Sequence, residues 1–280
     1  MQDIKIVKKE EIIKALKKVG IKKGDIVLVH SALSKLGRIE GRKEGDEYLE
    51  ILYKAFFSVI GKKGTLVVPA FFYDYGRYET PYDTRRSPVS GELGVFARYI
   101  VGLPKAVRSP NPITALAAIG AKADYICSGG SGSSFGVDSP WDRLLQGNAK
   151  MVFLGVDLRA MTFIHFVEHM VGVPHLYNKF STVPVSKNGR LVKIPICSQV
   201  RYFDFEIEYD ALKNTKRFEK AGLVKKEKIG SGIVRCLSCK EFFEFAKEKV
   251  KKDNFYFLKK NPKFIAGKIP IDGGSGPARP

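Results

Sequence analysis

Three short runs constrain this chain most: IVLVH at 26–30, TLVVPAF at 65–71 and MVFLGV at 151–156. Each is continuously apolar and rich in β-branched residues, the pattern of a strand buried on both faces. Before the first run, KEEIIKALKKV at 9–19 places Ile12, Ile13, Leu16 and Val19 on one helical stripe, and Gly20 closes it. Between the first two, residues 46–60 read as a second helix stopped by Gly61. This alternation predicts an α/β fold, a mixed sheet core flanked by helices with at least partly parallel pairing. ALAAIG at 115–120 reads as a further strand, and GELGVFARYIV, SPWDRLLQ, MTFIHFVEHMVG and CKEFFEFAKEKVKK read as helices, with Ser139 the N-cap of the second. Beyond Pro174 the alternation around Asn188-Gly189 signals a hairpin, so an antiparallel addition is expected in the C-terminal half. Residues 1–270 are expected to form a single domain and 271–280, DGGSGPARP at the end, a flexible tail.

Hydrophobic residues make up 44% of the 280 and charged residues 28%, enough for a sizeable core and unlike a disordered chain. No apolar run approaches the roughly 18 residues that span a bilayer. Met1 to Glu11 lacks the apolar stretch of a signal peptide, so a cytoplasmic location with no membrane partner is expected. Cys236 and Cys239 form one C-x-x-C without the second pair a zinc ribbon needs, and they read as two unlinked thiols, one ending a strand and one opening a helix. The net charge of +19 asks for an anionic partner. Its basic residues are dispersed and match no zinc-finger, RRM or KH pattern, so a phosphorylated small molecule is expected rather than nucleic acid. A homo-oligomer is left open.

The segment 151–175 carries the chemistry. A buried strand runs through a loop into a helix, and ligands in α/β sheets bind where strand ends meet such loops. His165, Glu168 and His169 share one face of that helix, and burying three titratable groups requires partners. Two chemistries fit. His165-x-x-Glu168-His169 is the inverted zinc-peptidase pattern, with Glu241 or Glu244 as a third ligand. Alternatively, an imidazole takes a proton from an amine as that amine attacks a thioester, while a carboxylate holds the ring in the required tautomer.

LVHSALSKLG at 28–37, GTLVVPAF, RSPNPITALAAIG at 108–120, SFGVDSPWDRLL, LGVDLRAMTFIHFVEHMVGVP and FEIEYDAL at 205–212 occur in an order and spacing that resembles the antibiotic N-acetyltransferase family, the aminoglycoside 3-N-acetyltransferases. The resemblance covers roughly residues 5–265. It implies coenzyme A as acyl carrier, acetyl-CoA or another acyl-CoA as cosubstrate, and direct transfer without a covalent enzyme intermediate; no catalytic metal is expected, because a histidine base needs a free nitrogen lone pair. It makes His165 the catalytic base, with Glu168 in the same cluster. Glu206 is the choice for the carboxylate that pairs with His165, with Glu208 and Asp204 as alternatives. Thr162, one turn before His165, would cap the helix or polarise the carbonyl. Ser31, Ala32, Leu33, Ser34, Lys35, Leu36 and Gly37 would lie against pantetheine with their backbone N–H groups on its amides. Arg108 and Ser109, with Lys35 and Arg143, would meet the phosphates. Trp141 reads as core.

Two departures concern the acceptor. Asn111 stands where the family has histidine, and 29 acidic residues against 48 basic ones suit a polycation poorly. Tyr73, Tyr75, Arg77, Arg85 and Arg86, in the 73–87 loop, offer stacking and phosphate-forking groups, and with Asn111 they are the expected acceptor contacts. The expected reaction is N-acylation of an amino sugar, nucleotide-linked, with an aminoglycoside antibiotic as the alternative acceptor.

Overall fold

The structure, a computed structural model, describes residues 5–268 except 43, 129–130, 188, 192–194 and 203. The tail at 271–280 and Asn188 of the hairpin lie outside the described residues.

The three apolar runs become the three central, mutually parallel strands of a seven-stranded sheet: Lys150–Leu154, Ile26–Ser31 and Thr65–Pro69. Antiparallel strands extend both edges. Gly232–Ser238 and then Lys225–Ile229 lie beyond Lys150–Leu154, and Leu116–Gly120 and then Val107–Arg108 lie beyond Thr65–Pro69. Alternate residues of the central strands feed two cores, as a period of two requires. Val27, Val29, Leu66 and Val68 pack with Leu16, Phe56, Phe96 and Ile100 from helices Lys9–Lys18, Glu47–Ile60 and Gly94–Gly102. Ile26, Leu28, Val67 and Phe153 pack on the other face with Trp141, Phe163, Phe166 and Phe242 from helices Pro140–Gln146, Phe163–Val171 and Cys239–Lys252. Each fully buried aromatic of that second core contributes on the order of 1.5–3 kcal/mol of transfer free energy.

The C-terminal half holds the expected antiparallel additions. Leu176–Ser181 pairs with Ile196–Arg201, and Val185–Lys187 pairs with Arg190–Leu191. Cys236 lies on a strand and Cys239 opens a helix; burial pushes both thiols up, Cys236 to about 12. Among the described residues no helix is long and apolar enough to cross a membrane.

Candidate active site

The parallel strands Ile26–Ser31 and Lys150–Leu154 end side by side, with Ser31 opposite Leu154. The Ala32 N–H then donates to the Leu154 carbonyl at 2.9 Å, which starts a tight turn over Leu33–Lys35. Gly155 leaves the second strand at φ +70, and a Cβ there would stand 2.5 Å from the Ala32 carbonyl oxygen. Only glycine lets the two exits pass this closely. The chain next folds through Asp157, whose carboxylate accepts from the Arg159 N–H at 3.0 Å, and enters helix Phe163–Val171.

That helix buries Phe163, Phe166 and Val167 against the core and turns His165 towards a cleft. His165 keeps 37% of its side chain exposed, while Glu168, one turn later, keeps 1%. His165 Nδ1 lies 3.1 Å from Glu168 Oε2. The same oxygen accepts the Tyr209 hydroxyl at 2.7 Å, and Oε1 faces Nε2 of the fully buried His175 at 3.1 Å. Tyr209 sets its ring edge-on to His165, 5.0 Å between centroids. Burial alone would raise the Glu168 carboxyl, but its bonds to His165 and His175 outweigh this and hold it below the ordinary carboxylate range. Burial and the neighbouring carboxylate push the Tyr209 phenol well up, so it stays a donor.

Two contiguous cavities meet at His165. One, of about 340 Å³, lies between the two strand exits and is lined by His30, Ser31, Ala32, Val156 and Arg159–Met161. The other, of about 460 Å³, is lined by Arg77, Ile113, Phe135, Gln199, Arg201 and Tyr209. Phe71, Tyr73, Glu92, Thr162 and His165 belong to both. His30 is 6% exposed, stacks on Phe153 at 5.1 Å and leaves Nε2 without a partner, and burial lowers its pKa to about 4.

Residues 28–251 match the family model described as aminoglycoside 3-N-acetyltransferase. The chain belongs to the aminoglycoside 3-N-acetyltransferase family. It is 29% identical over 252 residues to aminoglycoside N(3)-acetyltransferase IV of a Salmonella species, covering 90% of each chain. It is 24% identical over 261 residues to the SPbeta prophage-derived aminoglycoside N(3')-acetyltransferase-like protein YokD of Bacillus subtilis, covering 86% of this chain and 91% of that one. A type III enzyme from Acinetobacter baumannii aligns over 184 residues at 26% identity, 60% of this chain and 62% of its own length. Among solved structures, the fold is similar to apo AAC(3)-IVa, with a TM-score of 0.74, 26% identity, 93% of this chain and 94% of that chain covered. It is also similar to AAC-IIIb in its binary complex with CoASH, with a TM-score of 0.75, 22% identity and 92% and 100% covered.

Within this aminoglycoside 3-N-acetyltransferase fold, the expected residues divide sharply. His165, Glu168, Thr162, Tyr73, Arg77, Ser31 and Ala32 come together around the cavities. Thr162 is not a side-chain cap; its carbonyl accepts the His165 N–H at 3.0 Å. Glu206 does not reach His165. Positive φ at Phe205 and Glu206 swings it outward, 73% exposed, onto Lys260. Glu208 pairs with Lys259 and Asp204 with Lys268 instead. The acidic segment therefore delivers Tyr209 rather than a carboxylate.

Arg108 is buried under loop carbonyls, donating to Ala70 at 2.9 Å and Pro88 at 3.2 Å, and Ser109 accepts the Leu116 N–H at 3.0 Å. Both tie loops together, and neither lines the two cavities. Arg143 is held by Asp138 at 2.7 Å. In the Ser31–Gly37 turn, Leu33 and Leu36 are core, and the N–H groups of Ala32, Lys35 and Leu36 are bonded within the protein, so they are not free for pantetheine. Lys35 and Ser34 are exposed beside the turn rather than in the cavity lining, as Gly37 is outside it.

Tyr75 is buried with its hydroxyl on the Val183 carbonyl at 2.9 Å. Arg85 and Arg86 cap Asp83 through their backbone N–H groups and line neither cavity. Asn111 is also buried, bonding the Gly132 carbonyl at 2.9 Å. Trp141 is core, its Nε1–H on the Thr114 carbonyl at 2.9 Å. Among the described residues no three His, Cys, Asp or Glu side chains converge to hold a metal ion, and Glu241 and Glu244 are exposed. Sequence reasoning missed His30, Glu92, Arg159, His175, Arg201 and Tyr209. Of these, only His175 carried a visible signal, as a histidine just beyond the site helix.

Proposed function

We propose that this chain transfers an acetyl group from acetyl-CoA to an amine of an aminoglycoside-type amino sugar, with His165 as general base. Family membership makes it an acyl-CoA-dependent N-acyltransferase. The observation that carries the rest is the Glu168-held His165 at the junction of the two cavities. A hydrogen bond from Nδ1–H to Glu168 leaves Nε2 with a free lone pair. Acetyl-CoA supplies a thioester carbonyl, reached through the 340 Å³ cavity between the strand exits, where Arg159 is the cation at the rim. His165 Nε2 removes one amine proton as the nitrogen bonds the carbonyl carbon, and Glu168 stabilises the resulting imidazolium. The Thr162 hydroxyl donates to the oxygen on which charge develops. When the carbon–sulfur bond breaks, the proton held on His165 passes to the departing sulfur, leaving the amide and the free thiol. A thiol-release assay with acetyl-CoA over a panel of aminoglycosides tests this reading. Activity that survives in His165→Asn at more than a third of the wild-type kcat, against an expected fall of about 10²–10⁴-fold, would sink it.

One observation favours a second acceptor. Glu92 is the single carboxylate among the described residues lining the larger cavity, and it is paired with Arg77 at 3.3 Å, while Arg201 adds a second cation to that wall. A polycation finds little there, whereas the phosphates of a nucleotide-linked amino sugar find forked donors. Equal concentrations of both acceptor classes, compared by kcat/KM, decide between them.

A further inference from the structure

We propose that His175 is a positioning residue for the transfer: its Nε2–H fixes the Glu168 carboxylate in the orientation that meets Nδ1 of His165. The inference rests on His165 being the base.

The chain builds this contact deliberately. Gly172 ends the site helix in the left-handed region, φ +83 and ψ +57, and Pro174 cannot continue it. The backbone therefore turns back and carries His175 to the carboxylate of the residue seven before it. His175 is wholly buried, its ring 5.8 Å from Phe255 and 6.4 Å from Tyr209 between centroids. The terminal torsion of a glutamate is soft. Two of the donors, His165 and Tyr209, meet the same oxygen, Oε2. Without His175 the other oxygen, Oε1, would be a buried acceptor with no donor, and the carboxylate would gain by turning away from His165.

The tautomer follows from the same contacts. His175 Nδ1 is buried and has no partner. A protonated ring would bury both a cation and an unpaired N–H, so the arrangement calls for the neutral ring with its proton on Nε2. Tyr209, the other donor, is also neutral. The negative charge of Glu168 is thus left whole for the imidazolium that His165 becomes. A lysine or arginine in place of His175 would anchor the carboxylate equally well but would neutralise it.

The test compares His175→Leu with His175→Gln in the full chain, because glutamine keeps an N–H donor and leucine does not. The leucine variant is expected to lose about 10–100-fold in kcat, the size of a lost hydrogen bond to a charged group, with KM for acetyl-CoA within about twofold. The glutamine variant is expected to recover most of that loss. A readout independent of turnover is the downfield proton resonance of His165 Nδ1–H, recognised by its absence in His165→Asn. It should persist in His175→Gln and shift or vanish in His175→Leu. An unchanged resonance and kcat in the leucine variant, or equal kcat losses in both variants with equal falls in melting temperature, would overturn the proposal. If the wild type acetylates no amine, the proposed function fails, and the resonance comparison still decides whether His175 positions Glu168.

Discussion

Replacing Glu168 with glutamine removes one charge and almost no volume. The carboxylate satisfies three donors with two oxygens. An amide has one oxygen and one NH2 group. If its oxygen stays with His165 and Tyr209, the NH2 confronts His175; if it turns to His175, the NH2 confronts the other two. Relieving this clash requires a ring to move its proton, which in His175 leaves a buried Nδ1–H unpaired and in His165 removes the Nε2 lone pair; the buried unpaired donor costs about 1–3 kcal/mol, mostly in stability. The kinetic part is separate. Only the His165 bond strengthens as the ring becomes charged, and a charge-assisted hydrogen bond is worth about 1.5–3 kcal/mol. That predicts a fall in kcat of about 10–150-fold, with KM for acetyl-CoA nearly unchanged. Thiol release under saturating acetyl-CoA measures it, with circular dichroism confirming that the variant is folded. Because Glu168 acts through His165, the double variant with His165→Asn should be no slower than His165→Asn alone. Additive losses, or a folded Glu168→Gln that keeps more than half of the wild-type kcat, would refute the argument.

Tyr209→Phe removes one neutral donor from Glu168, and kcat should fall about 2–10-fold without a change in KM for acetyl-CoA, read in the same assay. His30 titrates near 4 in the fold and near 6.5 when unfolded, so between those values only the unfolded state takes the proton. Stability should therefore drop as pH falls from 6.5 to 4, by up to about 3 kcal/mol from this group; urea melts of His30→Phe should show a correspondingly shallower pH slope. Arg85→Ala with Arg86→Ala should leave kcat/KM within about twofold for every acceptor, as for surface changes generally. Arg201→Ala should raise KM for a phosphate-bearing acceptor and not for an aminoglycoside; the opposite pattern would remove the second acceptor from consideration.

The sheet was legible because its central strands are buried on both faces, and burial on both faces writes itself into sequence as an unbroken apolar run. Val27 and Leu28 serve opposite cores yet look alike in the chain. Strand direction leaves no such trace. ALAAIG reads as one more strand of an α/β sheet, but Leu116–Gly120 runs antiparallel to Thr65–Pro69, and nothing in its composition differs from a parallel neighbour. The hairpin and the helices were legible for the opposite reason: turn residues, caps such as Ser139 on the Asp142 N–H, and helical stripes are local.

Site residues were legible only where local spacing decides their contact. His165 and Glu168 meet because they are three apart on one helix, which sequence alone dictates. The remaining partners of Glu168 come from 7 and 41 residues away, His175 from beyond the Gly172 helix stop and Tyr209 from a distant segment, so neither contact follows from helical spacing. The acidic segment shows the consequence. Its carboxylates attract attention because carboxylates partner histidines, but Phe205 and Glu206 adopt left-handed backbone, Ile207 is the next buried side chain, and the residue that reaches the site is Tyr209. Arginine misleads in the same way. Arg108 has the chemistry of a phosphate ligand, yet it is clamped by the carbonyls of Ala70, Ser87 and Pro88 and lies 4.9 Å over the Tyr82 ring. There it fastens the loop that carries Tyr73 and Arg77 into the cavity wall. A net charge of +19 is equally blind to place, since many lysines are exposed on helices and edge strands, where pairs such as Lys252–Glu248 at 2.8 Å are solvated. Under the proposed function the acceptor would meet the local wall of Arg77, Glu92 and Arg201, and that small set of charges, rather than the bulk excess, would set acceptor selectivity.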